Sequence, residues 1–336
     1  MLHILIDMPI HQPTLDQLRT LPDIHIQTVP YREHAAPLPA ELLADPQILF
    51  CMWPPTNFTD CKALKWVQIS SVGYSQLTNI GLNERHIRAT NAQGVFDVPI
   101  AEWNMAMIFM LARDMRGMFH NQDNGIWDRS ARFQTELRGL TIGLWGYGGI
   151  ARETARLAKH MGLKVHVLVR SPIKARHNSF CVAGTGDIEG VLPDKVFYTG
   201  EETAFLSRLD MLVLAMPLTA QTRSIVRESH LRALPPTAFV LNPARGPLID
   251  EAVLLKALRE KWIAGAALDT HYYYPMPPDH PLWQMPNVIM TPHISGSSLS
   301  PHYVSRTWQI FAENLMRFRT GQPLLNELSP AQLAGG

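Results

Sequence analysis

Residues 139–176 constrain the fold more than any other stretch. The apolar run Leu140–Trp145 leads into Gly146-Tyr147-Gly148-Gly149-Ile150-Ala151, a helix-like segment follows to Met161, and a second apolar run covers Val165–Val169. Strand, glycine turn, helix and strand in this order form a βαβ unit of the dinucleotide-binding kind. Gly146 permits the tight turn and Gly148 lets backbone approach a pyrophosphate. Ala151 is small enough for close helix–strand packing, and the helix N-terminus supplies unpaired amides. Gly146, Gly148, Gly149 and Ile150 are therefore expected at the cofactor. A glycine-rich turn alone is weak evidence; the flanking strands and helix give it weight. An acidic residue normally receives the adenosine ribose hydroxyl at the end of the second strand, but here stand Val169, Arg170 and Ser171, followed by Lys174 and Arg176. Arg170 and Ser171 thus predict a 2′-phosphate, and NADP(H) in preference to NAD(H). The bland alternative for Arg170 is a solvated arginine at a strand end.

The 336 residues are 46% hydrophobic and 18% charged, enough apolar content for a large core and about two domains. A net charge of +1 without a basic run excludes the electrostatic footprint of a nucleic-acid binder. Cys51, Cys61 and Cys181 are too few for a disulfide framework and show no paired metal spacing, which fits a reducing, cytoplasmic setting. The opening segment carries Asp7 inside a short apolar run and reads as a first strand rather than a leader. The longest apolar segment, Met105–Ala112, is far shorter than the ~20 residues that span a bilayer, so no membrane partner is expected.

Short apolar runs at Ile4–Ile6, Ile48–Met52 and Trp66–Ile69 suggest a small α/β unit in the first hundred residues. A largely buried helix is predicted over 100–118, running between domains. Strands and helices then alternate at 140–145, 149–161, 164–169, 211–216, 223–233, 237–241, 250–260, 264–268 and 287–290, the pattern of a doubly wound parallel sheet. Residues 172–203 read as a long loop-rich connection, and 300–320 as an amphipathic helix returning to the first domain.

Two residues stand where ligands bind in open α/β sheets, at the carboxyl ends of strands. Arg245 follows the buried run Ala238–Leu241, and its planar guanidinium suits a carboxylate beside a carbonyl; pairing with Asp250 is the structural alternative. His293 follows Asn287–Met290 and is a candidate acid/base, although a lone turn histidine is more often structural.

Nearly end to end, the chain resembles the D-isomer-specific 2-hydroxyacid dehydrogenases. The resemblance rests on Leu64–Gly73, Pro99–Glu102, Glu136–Gly143, Met216–Thr219 with Thr222, Asn242–Asp250, Ala266–Asp269, Thr291–Gly296 and Thr320–Pro323. It implies an α/β fold of two Rossmann-like domains with doubly wound parallel sheets. The dinucleotide domain (100–299) would be inserted into a discontinuous substrate domain (1–99 plus 300–336), with the active site between them. The resemblance further implies that Arg245 binds the 2-oxo acid, that the Val72 and Gly73 amides receive its carboxylate, and that His293 donates the proton. Asp269 would position the nicotinamide carboxamide. Pro217, Thr222, Pro243, Ala244 and Gly296 would line the nucleotide cleft. The Leu64-Lys-Trp-Val-Gln form and the Arg170-Ser171 pair are most similar to NADPH-dependent glyoxylate and hydroxypyruvate reductases. Relatives are usually homodimers, so a homodimer is expected here.

The departures are informative. The family places a glutamate before the proline that follows its Leu-Asp segment, where it pairs with the histidine and keeps it protonated; here that position is Tyr274. A phenol can hydrogen-bond His293 but brings no negative charge near neutrality. Tyr274 thus joins Arg245 and His293 as the third residue of the catalytic set, with a weakened dinucleotide-binding sensor or interaction protein as the alternative function. Asp279 is a second possible carboxylate in the following loop. Ser75 stands where many relatives carry aspartate. His271, His280 and His293 are irregularly spaced, so no metal is expected. The tyrosines 272–274 read either as a stacking platform or as packing, and Trp53, Trp66 and Trp283 as core.

Overall fold

The structure is a computed structural model that describes residues 1–130 and 135–334. Residues 131–134 and 335–336 fall inside the two expected domains and lie outside the described residues. The chain divides into two compact units. One comprises Met1–Val95, His177–Cys181 and Ser298–Gly336; the other comprises Phe96–Arg176 and Val182–Ser297.

The first unit is built on strands β1 (Leu2–Asp7), β2 (Ile24–Thr28), β3 (Ile48–Cys51), β4 (Trp66–Ile69) and β5 (Arg88–Thr90), all parallel in the order β2-β1-β3-β4-β5. Every residue of β3 and β4 is buried, as a parallel sheet covered on both faces requires. Helices α1 (Gln12–Arg19), α2 (Ala40–Leu43), α9 (Pro301–Arg319) and α10 (Pro330–Leu333) complete the unit. The Ser300 hydroxyl caps α9 by accepting from the His302 amide at 3.3 Å, Pro301 opens it, and Arg317 and Arg319 end it, each favourable at its position. Its apolar stripe meets the sheet. Phe311 stacks on Phe50 at 4.4 Å, and the Trp308 indole donates to the Pro9 carbonyl at 2.8 Å.

The second unit carries a seven-stranded parallel sheet in the order β12-β11-β10-β9-β6-β7-β8. The strands are β6 (Thr141–Trp145), β7 (Lys164–Val169), β8 (Lys195–Tyr198), β9 (Met211–Leu214), β10 (Phe239–Asn242), β11 (Gly265–Leu268) and β12 (Val288–Met290). Its helices are α3 (Asp97–Ala112), α4 (Met115–Asp123), α5 (Gly149–His160), α6 (Glu202–Leu206), α7 (Glu228–Ala233) and α8 (Glu251–Arg259). The order reverses between β6 and β9, and in open α/β sheets ligands bind at such a switch point, outside the carboxyl ends of the strands.

Three expectations are corrected. The helix over 100–118 is two helices, because Asp114 adopts a left-handed conformation (φ 43°) and caps α4 by accepting from the Gly117 amide at 3.2 Å. The helix over 223–233 begins only at Glu228, since Ser224 is also left-handed (φ 51°) and Val226 bridges to Ile249. Within 172–203, β8 and the start of α6 form a further strand and helix. Among the described residues, no helix is long and apolar enough to cross a membrane.

Candidate active site

Five strands of the second unit end in residues singled out from the sequence. β6 runs into Gly146, β9 into Pro217, β10 into Pro243–Arg245, β11 into Asp269 and β12 into His293. Parallel pairing brings these ends to one edge of the sheet.

At β6, Gly146 has φ +98°, and a Cβ there would press on the Ala215 carbonyl, so the turn demands glycine. Nothing stands within 4 Å of where a Gly148 side chain would begin. Gly149 and Ile150 open α5, and a Cβ on Gly149 would overlap the Asp97 carboxylate of α3. An open approach over Gly148 to a helix N-terminus fits a dinucleotide pyrophosphate. Arg170 and Ser171 are exposed directly after β7, with no acidic side chain at that strand end. The Thr222 hydroxyl donates to the Pro217 carbonyl at 2.7 Å and accepts from the Thr219 amide at 2.7 Å, pinning the exposed Pro217 turn after β9.

The β10 turn is held by one side chain. The Asn242 carboxamide accepts from the Ala244 and Arg245 amides (3.1 and 3.2 Å) and donates to the Arg245 carbonyl at 2.8 Å, while Pro243 is buried. Arg245 itself is exposed, one guanidinium nitrogen resting on the Ala244 carbonyl at 2.6 Å. Gly246 lies so close to the His271 backbone that a Cβ would stand 2.6 Å from the His271 carbonyl carbon. This packing sets the β10 turn against the segment after β11.

His293 is placed by Asp269. The fully buried carboxylate of Asp269 accepts from the Thr291 hydroxyl (2.6 Å), the Ile294 amide (2.9 Å), and the amide and hydroxyl of Ser295 (3.0 and 2.5 Å). Its backbone carbonyl accepts from the His293 amide at 2.8 Å. The Trp103 indole of α3 extends the chain by donating to the Thr291 hydroxyl at 3.1 Å. These bonds hold His293 left-handed (φ 58°) at an exposed position, and Gly296 continues the loop against the Phe96 ring. The family resemblance gives Asp269 a cofactor role; in the structure its carboxylate accepts these bonds from its own loop. Asp269→Ala would strand those donors, and we expect it to cost roughly 3 kcal/mol, read as a lower Tm in thermal unfolding.

Tyr274, which the resemblance sets at the family's glutamate position, makes two contacts here. Its hydroxyl accepts from the His271 amide at 3.1 Å, and its ring lies 5.6 Å from the His293 ring at 55°. The His293 contact is thus with the ring, not the phenol. The His293 pKa is pushed below the ordinary imidazole value by partial desolvation, then by the Arg245 guanidinium and His271; the acid that acts in the opposite sense is Asp269. Asp279 is exposed and is not among these influences.

The remaining candidates have other partners. The buried His271 ring donates from Nε2 to the Thr291 carbonyl at 2.7 Å, and His280 pairs with Glu251 at 2.6 Å. Among the described residues no group of three His, Cys, Asp or Glu side chains converges as metal ligands do. Trp66 is core, with its indole on the Thr90 hydroxyl at 2.8 Å, whereas Trp53 and Trp283 are exposed.

In the first unit, Val72 and Gly73 follow β4 in a loop held from three sides. Asn91 donates to the Val72 carbonyl (2.7 Å), the Ser71 hydroxyl to the Gly73 carbonyl (2.7 Å), and Gln76 to the Ser71 hydroxyl (2.8 Å). Asn91 and Gln76 were not singled out from the sequence; nothing in their spacing marks them.

A parallel sheet with a glycine turn at its switch point defines a dinucleotide-binding α/β protein. Residues 105–295 match the family model for the NAD-binding domain of D-isomer-specific 2-hydroxyacid dehydrogenases. The chain is 32% identical over 263 residues to a glyoxylate reductase of Thermofilum pendens, covering 77% of this chain and 73% of that one. Among solved structures, it superposes on a D-isomer-specific 2-hydroxyacid dehydrogenase family protein of Aeromonas salmonicida with a TM-score of 0.75 and 26% identity, covering 98% of each chain. The NADPH-dependent glyoxylate/hydroxypyruvate reductase of Sinorhizobium meliloti, solved with NADP and sulfate, shares the fold (TM-score 0.75, 23% identity, 100% of each chain). The chain therefore belongs to the D-isomer-specific 2-hydroxyacid dehydrogenase family, as an NAD(P)-dependent oxidoreductase of small 2-hydroxy and 2-oxo acids.

Proposed function

We propose that this protein is a reductase that converts a small 2-oxo acid, of the glyoxylate or hydroxypyruvate kind, to the D-2-hydroxy acid with NADPH, working as a cytoplasmic homodimer. The observation that carries this reading is the placing of Arg245 and His293 at the ends of β10 and β12, on either side of β11, near enough for the guanidinium to depress the imidazole pKa.

A nicotinamide nucleotide held at the glycine turn would supply the hydride equivalent for reduction of the carbonyl carbon. Arg245 holds the substrate carboxylate and carbonyl through its planar donors and stabilises negative charge as it develops on oxygen. His293, protonated, gives its proton to that oxygen and leaves neutral. The Val72 and Gly73 amides would receive the carboxylate. Gly146, Gly148, Gly149 and Ile150 would seat the pyrophosphate; Pro217, Thr222, Pro243, Ala244 and Gly296 would border the nucleotide. Asp269 would act on the site chiefly by holding the His293 loop. Exposed Arg170 and Ser171, with no acid beside them, support the 2′-phosphate reading.

The test is incubation with hydroxypyruvate and each nucleotide, followed by chiral analysis of the glycerate. Consumption of NADPH faster than NADH, with D-glycerate as product, is the expected result. L-glycerate, or a preference for NADH, would contradict it. Tyr274 favours a second reading, a dinucleotide-binding sensor with weakened turnover, which predicts tight nucleotide binding and no glycerate.

A further inference from the structure

Arg152 lies one residue beyond Ala151 on α5 and is 5% exposed. Its guanidinium donates to four backbone carbonyls in three separate segments. Nε reaches Tyr147 in the glycine turn at 3.3 Å; Nη2 reaches Lys174 at 2.7 Å; Nη1 reaches Ile188 at 3.2 Å and also Asp187. Its Cζ lies over the Tyr147 ring, 5.0 Å from the centroid. The Asp187 carboxylate completes the arrangement. It accepts from the Tyr147 hydroxyl at 2.7 Å and from the amides of Gly190, Val191 and Leu192, each at 3.0 Å.

The residues so tied include the loop after β7. Residues 170–176 contain no helix or strand, and such a segment loses about 1–2 kcal/mol of chain entropy per residue when it is ordered. A buried guanidinium is costly unless its donors are paired, and here carbonyls take that part. One side chain thereby links the turn expected to seat the pyrophosphate with the strip that carries Arg170, Ser171 and Lys174. Lysine could not reproduce this, since an ammonium lacks the planar fork that reaches three segments at once.

We propose that Arg152 is a positioning residue for cofactor choice, fixing the 170–176 strip at a set distance from the glycine turn so that Arg170 and Ser171 meet a 2′-phosphate already ordered. This rests on the NADP(H) reading above. The ties are made wholly within the protein, and because the strip would meet only the 2′-phosphate, their loss should weigh more on the phosphorylated nucleotide than on the other.

Dissociation constants for NADPH and NADH, measured by nicotinamide fluorescence on the wild type, Arg152→Lys and Tyr147→Phe, test this. Arg152→Lys is expected to weaken NADPH about tenfold and NADH by less than about threefold. Tyr147→Phe, which removes one bond to Asp187, is expected to shift the ratio in the same direction by about threefold, and it decides the matter if Arg152→Lys does not fold. A wild type that binds both nucleotides alike defeats the Arg170 reading, and the proposal with it. A wild type that prefers NADPH while the folded variants keep its ratio, or lose both nucleotides equally, overturns the role of Arg152 alone.

Discussion

His293→Asn is expected to lower kcat for 2-oxo acid reduction by about 10²–10⁴-fold, the usual contribution of a positioned general acid. Asparagine is the informative replacement because His293 is left-handed, and asparagine tolerates that conformation better than other side chains. The Asp269 bonds to Thr291, Ile294 and Ser295 do not involve the His293 side chain, so the loop should keep its path. NADPH affinity is accordingly expected to stay within about twofold of wild type. Steady-state kinetics paired with a nucleotide titration checks both parts. A variant that retains wild-type kcat would remove His293 from the chemistry.

Tyr274→Glu is expected to move the alkaline limb of the kcat/KM profile for reduction upward by about 1–3 pH units, the shift an adjacent carboxylate gives an imidazole. Reduction needs His293 protonated, so activity is present below its pKa and lost as pH rises through it. In the wild type that pKa is lowered by desolvation and by Arg245, which places the loss on the acid side of the ordinary imidazole value. The Tyr274 hydroxyl rests on the His271 amide and contributes no charge to the ring. Glutamate at 274 would favour the imidazolium, so the variant should be the faster enzyme above neutrality. Tyr274→Phe, which introduces no charge, should leave the limb where it is. A Tyr274→Glu profile that coincides with wild type would show that charge at this position does not govern the proton donor.

What was legible in the sequence was whatever is written in neighbouring residues. The βαβ unit could be read because Gly146, Gly148 and Ala151 are contiguous with apolar runs of strand length, and because strand ends follow directly from those runs. The positions of Arg245 and His293 after β10 and β12 were read in this way. The organisation of the His293 loop was not legible. Asp269 reaches its donors across 22 to 26 positions, and bonds of that range leave no period in a sequence. The same holds for Asn91, which steadies the Val72 carbonyl from 19 residues away. Breaks at Asp114 and Ser224 were missed because neither is glycine; each adopts its left-handed turn for the sake of surrounding structure. Tyr274 shows the limit most clearly. The sequence shows a phenol at this position, but the side-chain contact it makes, ring against ring with His293, depends on where the His271 amide holds its hydroxyl.

The most direct measurement is steady-state oxidation of NADPH and NADH by the purified protein with glyoxylate, hydroxypyruvate, pyruvate and phenylpyruvate in turn. The expected result is turnover on glyoxylate or hydroxypyruvate, faster with NADPH, that declines as pH rises through the lowered His293 pKa. Tight nucleotide binding with none of the four acids reduced would contradict it.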